Sequence, residues 1–171
     1  MGRVSVKENK NIYQTAREDL GLSREKAAER LSGVSAERIE KIENEKAAAH
    51  PDEILYMAEG YGAPQLCNFY CANECPIGRR YVPEVNLKDL SRIVLEMLSS
   101  LNGVRRKQER LIDISADGVI SGDEIADFVD IQDTLESLSV NVEALQLWTE
   151  QMLARGEIDR DAYENYLTSR K

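Results

Sequence analysis

The chain has 171 residues, 42% of them apolar and 31% charged, and a net charge of −9. That length suits one ordinary domain or two small ones, and the composition excludes a disordered polymer. No apolar run reaches the roughly 18 residues of a membrane span, and the start, MGRVSVKENKN, has no apolar stretch of signal-peptide length, so a cytoplasmic protein with no membrane partner is expected.

Few aromatics and many Leu, Ala, Glu, Lys and Arg residues predict an all-α fold. Ile12, Tyr13, Ala16 and Leu20 recur at helical spacing and predict a first helix over residues 10–20, ended by Gly21. Ser23 is placed to cap a second helix over 24–31, with Ala27, Ala28 and Leu31 facing inward. Ser32-Gly33-Val34 reads as a turn, and Ser35 as the cap of a third helix with Ile39 and Ile42 inward. His50-Pro51-Asp52 opens a fourth, with Ile54, Leu55 and Ala58 inward and Gly60 and Gly62 at its end. A short fifth helix is expected over 64–70, which makes residues 1–70 one five-helix domain.

The stretch Leu22-Ser23-Arg24-Glu25-Lys26-Ala27-Ala28-Glu29-Arg30-Leu31, followed by Gly33-Val34-Ser35 and Arg38-Ile39-Glu40-Lys41-Ile42-Glu43-Asn44, resembles the helix-turn-helix of the lambda-repressor and Cro type, the XRE family. Each feature has a physical reason. Ala28 is small where two helices cross, Gly33 lets the backbone turn, and Ser35 caps the second helix and aims its first residues outward. The resemblance covers about residues 10–65. It implies a DNA-binding domain whose third helix enters the major groove.

By position that helix would present Ala36, Glu37, Arg38, Lys41 and Asn44 to bases from its Ser35 cap. Arg and Lys are suited to guanine and Asn to adenine. Arg3, Lys7, Lys10, Arg17, Arg24 and Lys46 are the candidate phosphate contacts. The charge balance argues the other way. Residues 1–66 hold 10 Lys and Arg against 12 Asp and Glu, so any DNA footprint is a local patch. Glu37, Glu40, Glu43 and Glu45 lie on or beside the presumed reading helix, although Glu43 matches a family position that is usually structural.

Residues 71–86 hold Pro76, Gly78 and Pro83 and read as a linker or hinge. Cys67, Cys71 and Cys75 precede and enter it at steps of four. On an unbroken helix the outer two would be about 12 Å apart, too far to share one metal. A zinc or iron site therefore requires a break before Cys75-Pro76, with His50 as the fourth ligand. The alternative is half-buried thiols packed against neighbouring helices. The segment LCNFYCANECPIG, residues 66–78, also looks like a recurrent extension in a Firmicutes branch of XRE-like proteins, and that likeness continues through the C-terminal heptads.

In residues 87–171 the pattern changes. Leu87, Leu90, Val94, Met97, Leu101, Val104, Gln108 and Leu111 alternate steps of three and four. Phe128, Ile131, Leu135, Leu138, Val142, Leu145, Thr149 and Met152 do the same. Two long helices forming an antiparallel coiled-coil hairpin are expected, bent at 114–121, with a last short helix over 159–168. A two-helix hairpin has too little core to stand alone, so it is expected to pack on the rest of the chain or on a second copy, as a homodimer. At the bend, Asp113, Ser115, Asp117, Val119 and Glu124 fall at ligand positions of an EF-hand calcium loop, with Gly118 at the sixth place. The alternative is a turn at Asp117-Gly118 followed by a capping box of Ser121 and Glu124.

With one histidine, no nucleophile elbow and no phosphate-cradling glycine loop, no enzyme is expected. Two functions stay open: a sequence-specific, dimeric DNA-binding transcriptional regulator, or a protein-binding adaptor that keeps the helix-turn-helix as a scaffold.

Overall fold

The computed structural model describes residues 10–170, and every regular element among them is helical. The elements are α1 (Ile12–Asp19), α2 (Arg24–Arg30), α3 (Ala36–Glu43), α4 (Pro51–Tyr61), α5 (Gln65–Phe69), a π-helical turn (Tyr70–Glu74), α6 (Gly78–Tyr81), α7 (Leu90–Ser115), α8 (Ile125–Arg155) and α9 (Arg160–Ser169). The chain falls into two compact units. One runs up to Glu84 and resumes at Thr149, and the other is Val85–Trp148. The boundary therefore cuts α8 near its end. The all-helical class, the N-terminal helix-turn-helix and the two long packed helices agree with the sequence reading.

In the first unit the helices begin where their caps dictate. Asn11 Oδ1 accepts from the Gln14 amide at 2.9 Å, Ser23 Oγ from Lys26 at 3.3 Å and Ser35 Oγ from Arg38 at 3.2 Å, each satisfying an amide that has no partner inside its helix. α4 starts on Pro51, and Glu53 reaches back to accept from the His50 amide at 2.8 Å. It ends on Gly62 in the left-handed conformation. Ala27, Ile39, Ile54, Met57 and Leu66 are completely or almost completely buried at the centre of these helices. Each large apolar side chain buried in this way contributes about 1.5–3 kcal/mol. Leu20 and Leu55, expected inward, are exposed. Leu20 sits past the last turn of α1 where the chain reverses, and Leu55 is about 100° around α4 from Ile54.

Half of the expected linker is folded. The Cys75 amide donates to Tyr70 O at 2.9 Å, closing the π turn that continues α5. α6 then packs directly on it: a Cβ at Gly78 would lie 2.0 Å from the Cys71 carbonyl oxygen, so only glycine permits the approach. Tyr13 of α1 ties to the same turn, its hydroxyl donating to Glu74 Oε1 at 2.9 Å.

The second unit is the antiparallel hairpin of α7 with the first part of α8. Asn141 Nδ2 donates to Ser100 Oγ at 2.9 Å. Lys107 Nζ donates to Asp130 O at 2.9 Å and to Thr134 Oγ1 at 2.7 Å. Arg110 pairs with Asp127 at 2.6 Å, and Ile93 packs with Ala144 and Leu147. A Cβ at Gly103 would lie 2.9 Å from Thr134 Cγ2. The seam thus runs through Ile93, Ser100, Gly103 and Lys107 of α7 and Thr134, Asn141 and Ala144 of α8. Over most of its length it is shifted by one residue from the heptad stripes of the sequence: Ile131 is buried as expected, but Leu90, Val94 and Leu101, expected in the seam, are exposed, as are Leu135 and Val142. Heptad counting follows bulky apolar residues, whereas this seam sets small and hydrogen-bonding ones (Ser100, Gly103, Thr134, Asn141) among a few buried isoleucines.

Candidate nucleic-acid interface

α2 and α3 meet across a turn centred on Gly33 (φ +100°) with Val34 buried beneath it. Ala27 of α2 has no exposed surface, whereas Ala28, expected at the helix crossing, is only half-buried. From α3, Ile39, Ile42 and Glu43 face the core. The buried carboxylate is the organising feature. Arg17 of α1 donates to both Glu43 oxygens, to Oε2 at 3.0 Å, and its Nη1 also donates to Leu22 O in the turn before α2. Arg24 of α2 adds a bond to Glu43 Oε2 at 2.8 Å. One carboxylate therefore joins α1, α2 and α3 and fixes the angle at which α3 is presented. Burial works against the Arg17 cation, but the bonds and charge of Glu43 hold its guanidinium above its ordinary value.

This network decides where the candidate phosphate contacts go. Arg17 is 5% exposed and spent on Glu43; Arg24 shares that carboxylate but keeps 30% of its side chain exposed. Lys10 pairs with Glu18 at 2.7 Å, and Lys46 is exposed in the loop after α3. Arg3 and Lys7 lie outside the described residues. Among the candidate base contacts, Arg38 folds back onto α4, donating from Nε and Nη2 to the two Glu53 oxygens at 2.6 and 2.8 Å and to Ala48 O at 2.7 Å. The Arg38 guanidinium, opposed by partial burial and aided by the His50 amide, holds the Glu53 carboxyl below the usual carboxylate range. Ser35 is exposed at the cap and Ala36 is half-exposed beside it. Glu37 and Lys41 stand out from α3 and pair with each other at 2.7 Å, which lowers the Glu37 carboxyl. Asn44 is the half-buried C-cap of α3, and Glu45 follows with a left-handed φ of 57°.

The outer face of α3 thus offers Ala36, Glu37, Glu40 and Lys41, with Asn44 at its end. Of the four glutamates that weigh against DNA, Glu43 is removed into the core. Lys26, Arg30 and Lys46 are exposed cations without an ion pair among the described residues. The sequence reading passed over Lys26 and Arg30, although their place on α2, the helix before α3, is a usable signal. It also missed Glu53 as the partner of Arg38, which the spacing from His50 to Glu53 marks as a helix-start carboxylate.

The residues considered for metals are dispersed. Among the described residues no group of three or more His, Cys, Asp and Glu is placed to hold a metal ion. Cys67, Cys71 and Cys75 are half-buried free thiols along α5 and the π turn; Cys75 Sγ accepts from the Gly78 amide at 3.4 Å. Burial first, then the charges of Cys71, Glu150 and Glu59, push the Cys67 thiol up, which disfavours a reactive thiolate. His50 is exposed at the start of α4. At the bend, Asp113 and Ser115 remain in the last turn of α7, and Ser115 Oγ donates to Ile112 O at 2.9 Å. Asp117 Oδ1 accepts from the Val119 amide at 2.9 Å, and Glu124 Oε2 accepts from the Ser121 amide at 3.0 Å and its hydroxyl at 2.6 Å. Glu124 is thus already occupied by Ser121, but only half of the expected capping box forms: the Glu124 amide donates to Ser121 O at 3.0 Å, not to the Ser121 hydroxyl, and α8 begins at Ile125.

A cleft of about 420 Å³ lies within the first unit, lined by Arg30, Leu55, Glu59, Cys67, Glu150 and Arg160 among others. In sequence comparisons no curated protein and no solved structure matches the chain. Residues 14–66, which span α1 to α5 and contain the Glu43 network, match the family model of a helix-turn-helix domain.

Proposed function

We propose that the protein is a sequence-specific DNA-binding transcriptional regulator that acts as a homodimer and reads the major groove with α3. The observation that carries this is the pose of α3: its inner face is fixed by the buried Glu43–Arg17–Arg24 network while Ala36, Glu37, Lys41 and Asn44 are left on or at the end of its outer face. The helix-turn-helix match over 14–66 supports the same reading. In this account Lys41 reads guanine, Asn44 adenine, and Ala36 contacts a thymine methyl. Lys26, Lys46 and the exposed part of Arg24 neutralise phosphates. Arg38 acts from behind, positioning α3 against α4 through Glu53. Two paired chains would place their recognition helices about 34 Å apart, one turn of duplex. A regulator of this kind works in the cytoplasm with the bacterial chromosome and carries out no catalysis.

Selection of bound sequences from a random duplex pool, followed by fluorescence anisotropy over a salt series, tests the proposal. Enrichment of a two-fold sequence and affinity falling steeply with salt are expected. Lys41→Ala should change the preferred bases, whereas Lys46→Ala should weaken all sequences alike and lower the salt slope by about one.

The adaptor reading draws on a different observation. The cations of α3 are internally matched, Arg38 by Glu53 and Lys41 by Glu37, and the chain as a whole carries −9. If selection enriches no sequence and binding is weak and insensitive to salt, the helix-turn-helix is serving as a scaffold for protein partners.

A further inference from the structure

We infer that two copies of this chain pair through one side of the α7–α8 hairpin, with α7 of each copy lying over α8 of the other in a four-helix bundle. This deepens the homodimer of the proposed function and rests on that pairing, but its geometry comes from the hairpin alone. Successive residues of a helix point about 100° apart. In an antiparallel pair, the residue following each seam position on either helix therefore points to the same side. The seam positions Ile93 and Ser100 are followed by Val94 and Leu101, and Thr134 and Asn141 by Leu135 and Val142. With Leu90 and the half-buried Leu111 these form one continuous apolar side. Five of the six are 38–45% exposed. The residues preceding the seam positions, on the opposite side, are Arg92, Ser99, Asn102, Arg106, Asp133, Val140 and Glu143, all of which except the half-buried Val140 suit water.

Size and charge both select a second copy as the occupant. From Leu90 to Leu111 the side is about 33 Å long and two helix widths, about 20 Å, across. That is close to the roughly 800 Å² per partner of a standard stable interface. α7 carries Arg92, Arg105, Arg106, Lys107 and Arg110 against Glu96, Glu109 and Asp113, a net +2. α8 carries six carboxylates against Arg155, a net −5. Stacking α8 on α8 would set −5 against −5, while α7 over α8 sets opposite charges together. A two-fold axis parallel to the helices achieves this, keeps every neighbouring pair antiparallel, and brings both open ends of the hairpins to one end of the bundle. At any height the facing residues are those whose numbers already match across the hairpin, so Leu101 of one copy meets the neighbourhood of Leu138 in the other.

Light scattering on the full chain is expected to give twice the 19.3 kDa chain mass. Leu101→Glu with Val142→Glu should give the monomer with an unchanged helical circular dichroism spectrum, because both sites are already partly exposed and glutamate suits helices. Leu95→Glu, at a residue 68% exposed and pointing away from this side, should leave the dimer intact. With Cys67, Cys71 and Cys75 changed to serine, mild oxidation should join Leu101→Cys chains to Leu138→Cys chains and leave Leu101→Cys chains alone unjoined. A wild-type monomer would overturn both the pairing and this surface. A dimer that survives Leu101→Glu with Val142→Glu, or one dissociated by Leu95→Glu, would overturn the surface and leave the pairing standing. Efficient joining of Leu101→Cys chains to one another would overturn the placement of α7 over α8.

Discussion

Replacing Glu43 with alanine should be among the most damaging single changes in the first unit. The Glu43 side chain has no exposed surface, and Arg17, which grips both its oxygens, is only 7% exposed at its side chain. Alanine removes the carboxylate but leaves the Arg17 guanidinium in place with its principal counter-charge gone. Breaking a buried pair from one side costs about 3–5 kcal/mol. For a cooperative unit of this size each kcal/mol corresponds to about 4–8 °C, so the unfolding midpoint should fall by roughly 12 °C or more. Arg24→Ala should cost less than about 1 kcal/mol, since Arg24 keeps 30% of its side chain in solvent and Arg17 still satisfies the carboxylate. Arg17→Met combined with Glu43→Met should recover much of the loss, because no charge is then stranded. Urea unfolding followed by circular dichroism measures all four proteins. If Glu43→Ala lies within about 1 kcal/mol of wild type, or if the double variant is no more stable than Glu43→Ala, the carboxylate does not organise the unit. The double variant also carries a functional consequence. If Arg17 serves only inside this network, DNA affinity measured well below the unfolding midpoint should survive its replacement.

Three other expectations follow from local geometry. Gly103→Val should destabilise the hairpin by about 1–3 kcal/mol, since Thr134 is held by its bonds to Lys107 and Asp130 and cannot swing away; hydrogen exchange at the α7 and α8 amides would show it, and unchanged protection would place the seam elsewhere. Glu45→Gly should stabilise by about 1 kcal/mol by relieving a left-handed φ of 57°, and a thermal midpoint that drops would contradict this. The Glu53 carboxyl sits below its ordinary value of 4.5 in the folded protein. Its pairing therefore contributes fully above that value and is lost as pH falls through the lower folded one, so Glu53→Gln should flatten the acid limb of stability against pH. An acid limb of unchanged slope would mean the Arg38 pairing is not coupled to folding.

The helix-turn-helix was legible because its signals are local. Ser23 and Ser35 cap the residues three positions on, Gly33 turns the chain, and Ile39 and Ile42 repeat at helical spacing. Side-chain partners across elements were not legible in this way. Nothing in a sequence separates an arginine that reaches outward from one that folds back, and Arg38 chooses Glu53, fifteen residues away, because α4 begins there with an available carboxylate. Arg17 chooses Glu43 because both face the same interior. In the C-terminal half the two helices, their antiparallel course and the bend were readable from apolar spacing. The phase of their contact was not, because Ser100, Gly103, Thr134 and Asn141 carry no hydrophobic signal. Leu90, Leu101 and Leu135, which the pattern assigned to the seam, are exposed instead.

The most direct test of the account is the affinity of the full chain for its own selected duplex across a salt series, wild type beside Lys41→Ala. The account predicts an enriched two-fold site, affinity that falls steeply with salt, and a Lys41→Ala protein that loses the preference for that site while keeping its fold. A random pool from which no sequence is enriched, or a Lys41→Ala protein that reads the same bases as wild type, would contradict it.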